Sequence, residues 1–325
     1  MKANQSAQTE GRPTAPPTTV ETHDIPYGIK PTGWRLPDAT RLGPVRLQIA
    51  DLARSVDYYE RVLGFRAVDR GSDRASLAAH GDDTVLIELR ELRGARAVPR
   101  RGLLGLYHYA ILLPNRAALG RFVAHLAELG VYAGMSDHLV SEALYLTDPD
   151  GLGIEVYADR PRSGWKHENR QLTMATNPLD VPSLVAAANG ERWSGIPAGT
   201  IVGHVHLYVA DIDQAEAFYH QALGFDKMVW SYPGALFLSA GGYHHHLGTN
   251  TWAAGAPPAG ENDARLLEWT VIVPSLEDAA SAARSIAASG YPVEASQGGV
   301  DRPAHSWIAT DPWGTKLRLV PTNSP

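Results

Sequence analysis

Apolar and polar residues alternate through Val45-Arg46-Leu47-Gln48-Ile49, the period-two signature of a half-buried strand. At Asp51 the spacing changes to that of an amphipathic helix, and Gly64 ends it before Phe65. Asp51 suits a helix N-cap, because its carboxylate can accept from the first free backbone N–H groups. The same phrase returns in the second half of the chain. Asp51, Tyr59, Leu63, Gly64 and Phe65 recur as Asp211, Tyr219, Leu223, Gly224 and Phe225, always 160 positions later. A weaker pair of copies starts near Gly105 and Leu267, with Pro114 answering Pro274 and Gly130 answering Gly290. Both weaker copies end in strand–turn–strand patterns built on Asp-Pro-x-Gly, at Asp148 and Asp311. Proline presets the first turn angle, and glycine takes the positive φ that follows.

Four units result, over about 42–95, 103–160, 200–255 and 264–322, each reading strand, helix, then short strands. Residues 1–40, rich in Pro, Thr, Ser, Gln and Gly, are expected to form a flexible tail with some wrapping near Trp34. Two halves, 41–160 and 200–322, are expected as domains of two units each. The polar connection 161–199 between them holds one expected helix near Pro182 to Ala188. A βαβββ unit leaves one sheet face apolar and open, so the units must pair, and paired curved sheets enclose a cavity.

Composition narrows the chemistry. The chain has 325 residues, 44% of them hydrophobic, and a formal charge of −6, so no basic surface argues for nucleic acid or a membrane surface. Cysteine is absent, which removes thiolate nucleophiles, thiolate-bound metal and disulfides together. A metal must then be held by His, Asp or Glu, and 13 histidines supply material. No apolar run spans a bilayer and no signal pattern opens the chain, so a cytoplasmic location is expected.

Four such units with a histidine directed inward resemble the vicinal oxygen chelate superfamily, over about 280 residues. The resemblance implies an α+β fold of four βαβββ units in paired curved mixed sheets. It also implies a cavity able to hold a metal, and frequent assembly into homo-oligomers. Counting back seven positions from each helix start gives Pro44, His108, His204 and Glu268, and the matching strand after the turn carries Glu155 in unit two and Arg318 in unit four. Two imidazoles and a carboxylate form the facial set that binds non-haem iron(II) and leaves adjacent positions open. Only units two and three together supply it. His108, His204 and Glu155 are therefore the expected metal ligands, with pairing inside one chain or between subunits left open. His206 shares the sheet face of His204 and either could serve; register with His108 favours His204.

Around these residues runs a longer pattern: His138, Tyr145, Asp148-Pro149-x-Gly151 and Glu155, followed in unit three by Gly242-Tyr243-His244-His245-His246. It resembles the signature of the type I extradiol ring-cleavage dioxygenases, and the phrase Gly241 to Trp252 resembles their catechol 2,3-dioxygenase branch. Ser136 departs from the residues usual at its place. The resemblance implies cleavage of a catechol by dioxygen with iron(II), or manganese(II), as cofactor. It assigns His245, His138 and Tyr145 to catalysis and places His244, His246, Asn250 and Trp252 near the substrate. Taken singly, each residue has a plainer explanation: a core histidine, a solvated strand glutamate, an exposed turn, a metal-scavenging surface tract. Their joint spacing favours the catalytic reading. Two rivals on the same fold are a glyoxalase-like lyase or isomerase, which usually needs a second carboxylate ligand, and a metal-free protein that sequesters an aromatic drug.

Overall fold

The computed structural model describes residues 27–296, 298 and 305–322. Unit one comprises β1 (Arg41–Ile49), α1 (Leu52–Tyr58), β2 (Arg66–Arg70), β3 (Arg74–Ala78) and β4 (Val85–Glu91). Unit two comprises β5 (Gly105–Leu112), α2 (Arg116–Leu129), β6 (Gly134–Asp137), β7 (Ser141–Thr147) and β8 (Gly153–Asp159). The connection carries the short strands β9 (His167–Glu168) and β10 (Gln171–Leu172) and the helix α3 (Val181–Ala186). Unit three runs through β11 (Ile201–Tyr208), α4 (Ile212–Ala215), β12 (Asp226–Val229), β13 (Ala235–Ser239) and β14 (Leu247–Asn250). Unit four runs through β15 (Arg265–Val273), α5 (Leu276–Ala288), β16 (Val293–Ala295), β17 (Trp307–Thr310) and β18 (Lys316–Pro321).

The caps sit where the pattern placed them. Asp51 accepts from the Arg54 N–H, Asn115 from Ala118, Asp211 from Gln214 and Ser275 from Asp278. The helix of units one and three is not uniform, however. After two turns or fewer it widens into a π-helical segment, Tyr59–Leu63 and Glu216–Ala222, which hydropathy does not reveal. Each widened segment contains one of the repeated tyrosines. Tyr59 donates to Asp148, and Tyr219 donates to Asp311 at 2.8 Å. Each helix is thereby tied to the Asp-Pro-x-Gly turn of the next unit.

Two eight-stranded mixed sheets result, in the orders β16-β17-β18-β15-β1-β4-β3-β2 and β12-β13-β14-β11-β5-β8-β7-β6. Units one and four build the first, and units two and three the second. Each sheet therefore joins the two halves of the sequence through an antiparallel seam, β1 with β15 and β11 with β5. Alternation along the seam strands and β8 sorts the residues: Tyr109, Ile111, Ile154, Val156, Val205 and Leu207 enter the main core with Val45, Leu47 and Ile49 of β1. Their sequence neighbours His108, Ala110, Glu155, Tyr157, His204 and His206 take the opposite face.

Residues 27–40, part of the stretch expected as tail, are packed. Ile29 bridges Lys227, Leu36 is buried, and Arg35 binds Asp226 through both carboxylate oxygens at 2.7 and 2.8 Å. Residues 1–26, the rest of that expectation, lie outside the described residues. The expected connection helix is present as α3, capped by Asp180.

Candidate metal centre and its cavity

Strand register builds the centre. His204 of β11 lies opposite Ala110 of β5, Ala110 lies beside Glu155 of β8, and Glu155 faces Tyr145 of β7. The alanine between His204 and Glu155 has only a methyl group, so the two longer side chains can lean together over it. His108 occupies the neighbouring row opposite His206. A register irregularity at Gly203 re-aims the strand just before His204. The fit is close: a Cβ at Gly203 would stand 1.9 Å from the Tyr157 hydroxyl oxygen.

One ligand atom each from His108, Glu155 and His204 falls within 4.8 Å of the other two, and all three residues are buried. The Nε2 atoms of His108 and His204 each approach Glu155 Oε2 to 3.0 Å. Only His204 does so along a hydrogen bond. His108 Nε2 comes equally near but off that line, and it is a buried nitrogen without a hydrogen-bond partner. Such an atom normally costs stability unless something accepts its lone pair. Burial holds both imidazoles below the usual histidine range, against the pull of Glu155, so they are neutral donors of electron pairs. Burial would raise the Glu155 carboxyl, but His204 and His108 beside it hold it well below the ordinary carboxylate range. Two neutral imidazoles and an ionised carboxylate, spaced about 3 Å apart, suit donors about 2.1 Å from one shared cation. The residues present fit a divalent metal.

A cavity of about 300 Å³ opens beside this cluster. Aromatic walls come from Tyr107, Tyr232, Phe237 and Trp252, and the connection between the halves adds Met174, Ala175 and Thr176. Among the described residues no lysine or arginine lines it. His138, Tyr145 and His245 reach it, as do His206 and Ser136. His138 sits in the β6–β7 turn, where its Nδ1–H donates to the Ala175 carbonyl at 2.7 Å. Its Nε2 is left to accept the Tyr145 O–H at 2.6 Å. Burial, with Glu155 opposite, raises the Tyr145 hydroxyl well above the usual tyrosine range, so it stays protonated. The His245 ring lies 4.1 Å from that of His204, and burial drives its pKa well below the usual range.

The remaining residues expected near substrate divide. Trp252 lines the cavity, whereas His244, His246 and Asn250 do not. The histidine tract lies in the turn between β13 and β14, so the turn and not strand pleating directs its side chains. His244 turns away to Asp159, and His246 accepts the Ala240 N–H at 3.2 Å in a site where burial lowers its pKa to about 3. Asn250 is one step back: its Oδ1 accepts the Trp252 N–H and its amide donates to His206 Nε2 at 2.9 Å. Tyr107, Phe237, Tyr232 and the residues around Ala175 carried no distinctive motif. Asp159 was findable, since it continues the face of Glu155 and Tyr157 at period two.

In the other sheet the equivalent places hold Pro44, Glu268 and Arg318. Arg318 grips both oxygens of Glu268 at 2.8 Å, and Ser306 accepts from the same guanidinium at 2.9 Å.

The glyoxalase/bleomycin resistance protein/dioxygenase superfamily model matches residues 41–156 and 201–319, and the chain belongs to that superfamily. A catechol-2,3-dioxygenase of Bacillus subtilis (strain 168) is 46% identical over 259 residues, covering 78% of this chain and 90% of that one. That likeness places the chain among the dioxygenases of the superfamily. A solved Bacillus subtilis structure assigned as a dioxygenase superposes with a TM-score of 0.60 at 14% identity, over 89% of this chain and 87% of that one. Glyoxalase I from Zea mays gives 0.52 at 17% identity, over 87% and 92%. These two superpositions speak for the fold. No helix among the described residues is long and apolar enough to cross a membrane.

Proposed function

We propose that the protein is an extradiol dioxygenase that opens the ring of an uncharged catechol with dioxygen, using iron(II) held by His108, His204 and Glu155. One observation carries the reading: three buried ligand atoms converge within 4.8 Å at the wall of an aromatic cavity that also receives His245, Tyr145 and His138. When bound, the ion supplies adjacent open positions and positive charge for the two catechol oxygens and dioxygen. Everything else belongs to the chain. The aromatic walls hold the ring flat and exclude water, and an apolar space of about 150 Å³ already takes benzene, so about 300 Å³ leaves room for a small substituent. Among the described residues no cationic side chain lines the cavity, which disfavours an anionic substituent, since it would be buried unpaired. His245, neutral and beside His204, accepts a phenolic proton. Tyr145 keeps its proton and hydrogen-bonds through it to His138, which leaves its oxygen to accept from a substrate hydroxyl, and the Ala175 carbonyl fixes the histidine tautomer. A single carboxylate in the cluster favours this chemistry over that of a glyoxalase-like lyase, which usually needs two.

The test is anaerobic loading with iron(II), then addition of catechol and air. One dioxygen consumed per catechol, with a yellow ring-opened product, is the expected result. Stoichiometric iron binding without oxygen uptake across uncharged catechols would remove the proposal.

A further inference from the structure

The pair His244–Asp159 is outside the cavity, fully connected, and unused by the chemistry above. Asp159 closes β8, four residues after Glu155 and on the same face. Its Oδ1 accepts the Nε2–H of His244 at 2.9 Å and the Tyr243 hydroxyl at 3.1 Å. Tyr243 in turn meets the Tyr157 hydroxyl at 2.7 Å, and the Arg162 guanidinium lies 5.4 Å from the Tyr243 ring centre. On its other side, His244 Nδ1 stands 2.8 Å from His245 Nδ1. Two imidazole nitrogens at that distance require one hydrogen between them, since two facing lone pairs or two facing N–H groups repel.

For a neutral His244 the chain of bonds settles who supplies it. A carboxylate oxygen only accepts, so the single proton of a neutral His244 resides on Nε2. Its Nδ1 must then accept, and His245 must donate from Nδ1. The Nε2 of His245 is left bare.

We propose that Asp159 and His244 are positioning residues that fix the tautomer of His245, so that it presents an unprotonated Nε2 to the cavity. The consecutive histidines thus have separate tasks: His244 orients, His245 faces the substrate, and His246 braces the turn. A histidine held this way meets a hydroxyl substrate as an acceptor from the outset. Without the pair, either tautomer is open to it, and the donor form would not accept a phenolic proton. The proposed role of the tautomer rests on the reading of His245 as the proton acceptor; the tautomer itself does not.

The experiment is histidine nitrogen NMR on the full chain labelled with nitrogen-15 at histidine, loaded with zinc, with His245 assigned by its loss in His245→Ala. Expected is a protonated, pyrrole-type Nδ1 and a bare, pyridine-type Nε2 for His245. In Asp159→Ala the Nε2–H form should appear. Iron-loaded Asp159→Ala should lose kcat by about 10–100-fold, as partners behind a site commonly do, with KM and metal content little changed. Asp159→Glu should restore part of both signals. A wild-type His245 with its proton on Nε2 overturns the inference, with no variant needed. So does Asp159→Ala with an unaltered His245 spectrum. Absence of catechol turnover in the wild type would instead count against the dioxygenase reading and leave the tautomer measurement standing.

Discussion

Ala110 is the residue over which the proposed metal ligands His204 and Glu155 meet, and enlarging it should close the centre without touching either. Adjacent strands lie about 4.8 Å apart, so β11 and β8, the two neighbours of β5, are about 10 Å apart at the backbone. Across that span His204 Nε2 and Glu155 Oε2 come to 3.0 Å only because Ala110, fully buried between them, stops at its Cβ. Ala110→Leu adds three carbons in that gap. Overpacking of this kind costs about 1–3 kcal/mol, which a domain of ordinary stability survives. The loss is to be read in metal linkage. A ligand at about 100 times its Kd stabilises the native state by about 2.7 kcal/mol. With about 2.1 cal/mol/K of unfolding entropy per residue over 325 residues, that corresponds to a rise in Tm of about 4 °C. Thermal unfolding with and without metal, beside metal analysis of the dialysed protein, reads it directly. Wild type should show the shift, Ala110→Ser should keep most of it, and Ala110→Leu should show none. A folded Ala110→Leu protein that binds one equivalent of metal with an undiminished shift would refute the placement of the ion above this residue.

Glu155→Ala removes the only carboxylate of the cluster, and metal analysis should find it folded but empty; retained metal and turnover would take Glu155 out of the ligand set. His245→Ala should keep its metal and lose rate by about 10²–10⁴-fold in steady-state assays, whereas loss of metal would make His245 a ligand. The Asp148 carboxyl, buried in its turn, is raised to about 7, above the 3.8 of the open chain. The folded state therefore holds that proton more tightly, and the stabilisation, complete below about pH 4, is lost as the pH rises through 7. Asp148→Asn keeps an acceptor for the Asp150 and Leu152 N–H groups but cannot ionise. Its urea midpoint should fall less than that of wild type between pH 5 and pH 8, and parallel curves would show that Asp148 does not titrate as described.

Much of this architecture is written in local patterns. The repeated Asp51 and Asp211 caps, the period-two strands and the two Asp-Pro-x-Gly turns are local signals, and each reports on contacts a few residues away. Pairing of unit two with unit three could be argued only from chemistry, by asking which two strands completed a donor set. What stayed hidden depends on long-range packing. The π-helical segments after Tyr58 and Ala215 carry tyrosines that hydrogen-bond turns some 90 residues further on, at Asp148 and Asp311. Likewise the connection expected as a plain linker supplies Met174, Ala175 and Thr176 to the cavity and a carbonyl to His138, none of which has a residue-type signature. The histidine tract follows the double-glycine turn at Gly241 and Gly242, with φ of 60° and 66°, and of its three side chains His245 lines the cavity.

Comparison of the two sheets explains why, among the described residues, one of them gathers a candidate metal cluster and the other does not. Each sheet buries a glutamate, Glu155 on β8 beside one seam and Glu268 on β15 within the other. A carboxylate out of water needs a cation, and the fold offers two ways to provide one. In the sheet of units one and four the chain provides its own, since Arg318 binds Glu268 through two hydrogen bonds and Arg46 approaches it at 3.6 Å. A guanidinium seated there closes the centre: its donors are spent on the protein, and no position is left for a ligand. In the sheet of units two and three the corresponding places carry His108, His206 and Glu155, with His204 where Pro44 stands. Neutral imidazoles flank the carboxylate without supplying its counter-charge or filling the space before it, so a cation can enter there, beside the cavity.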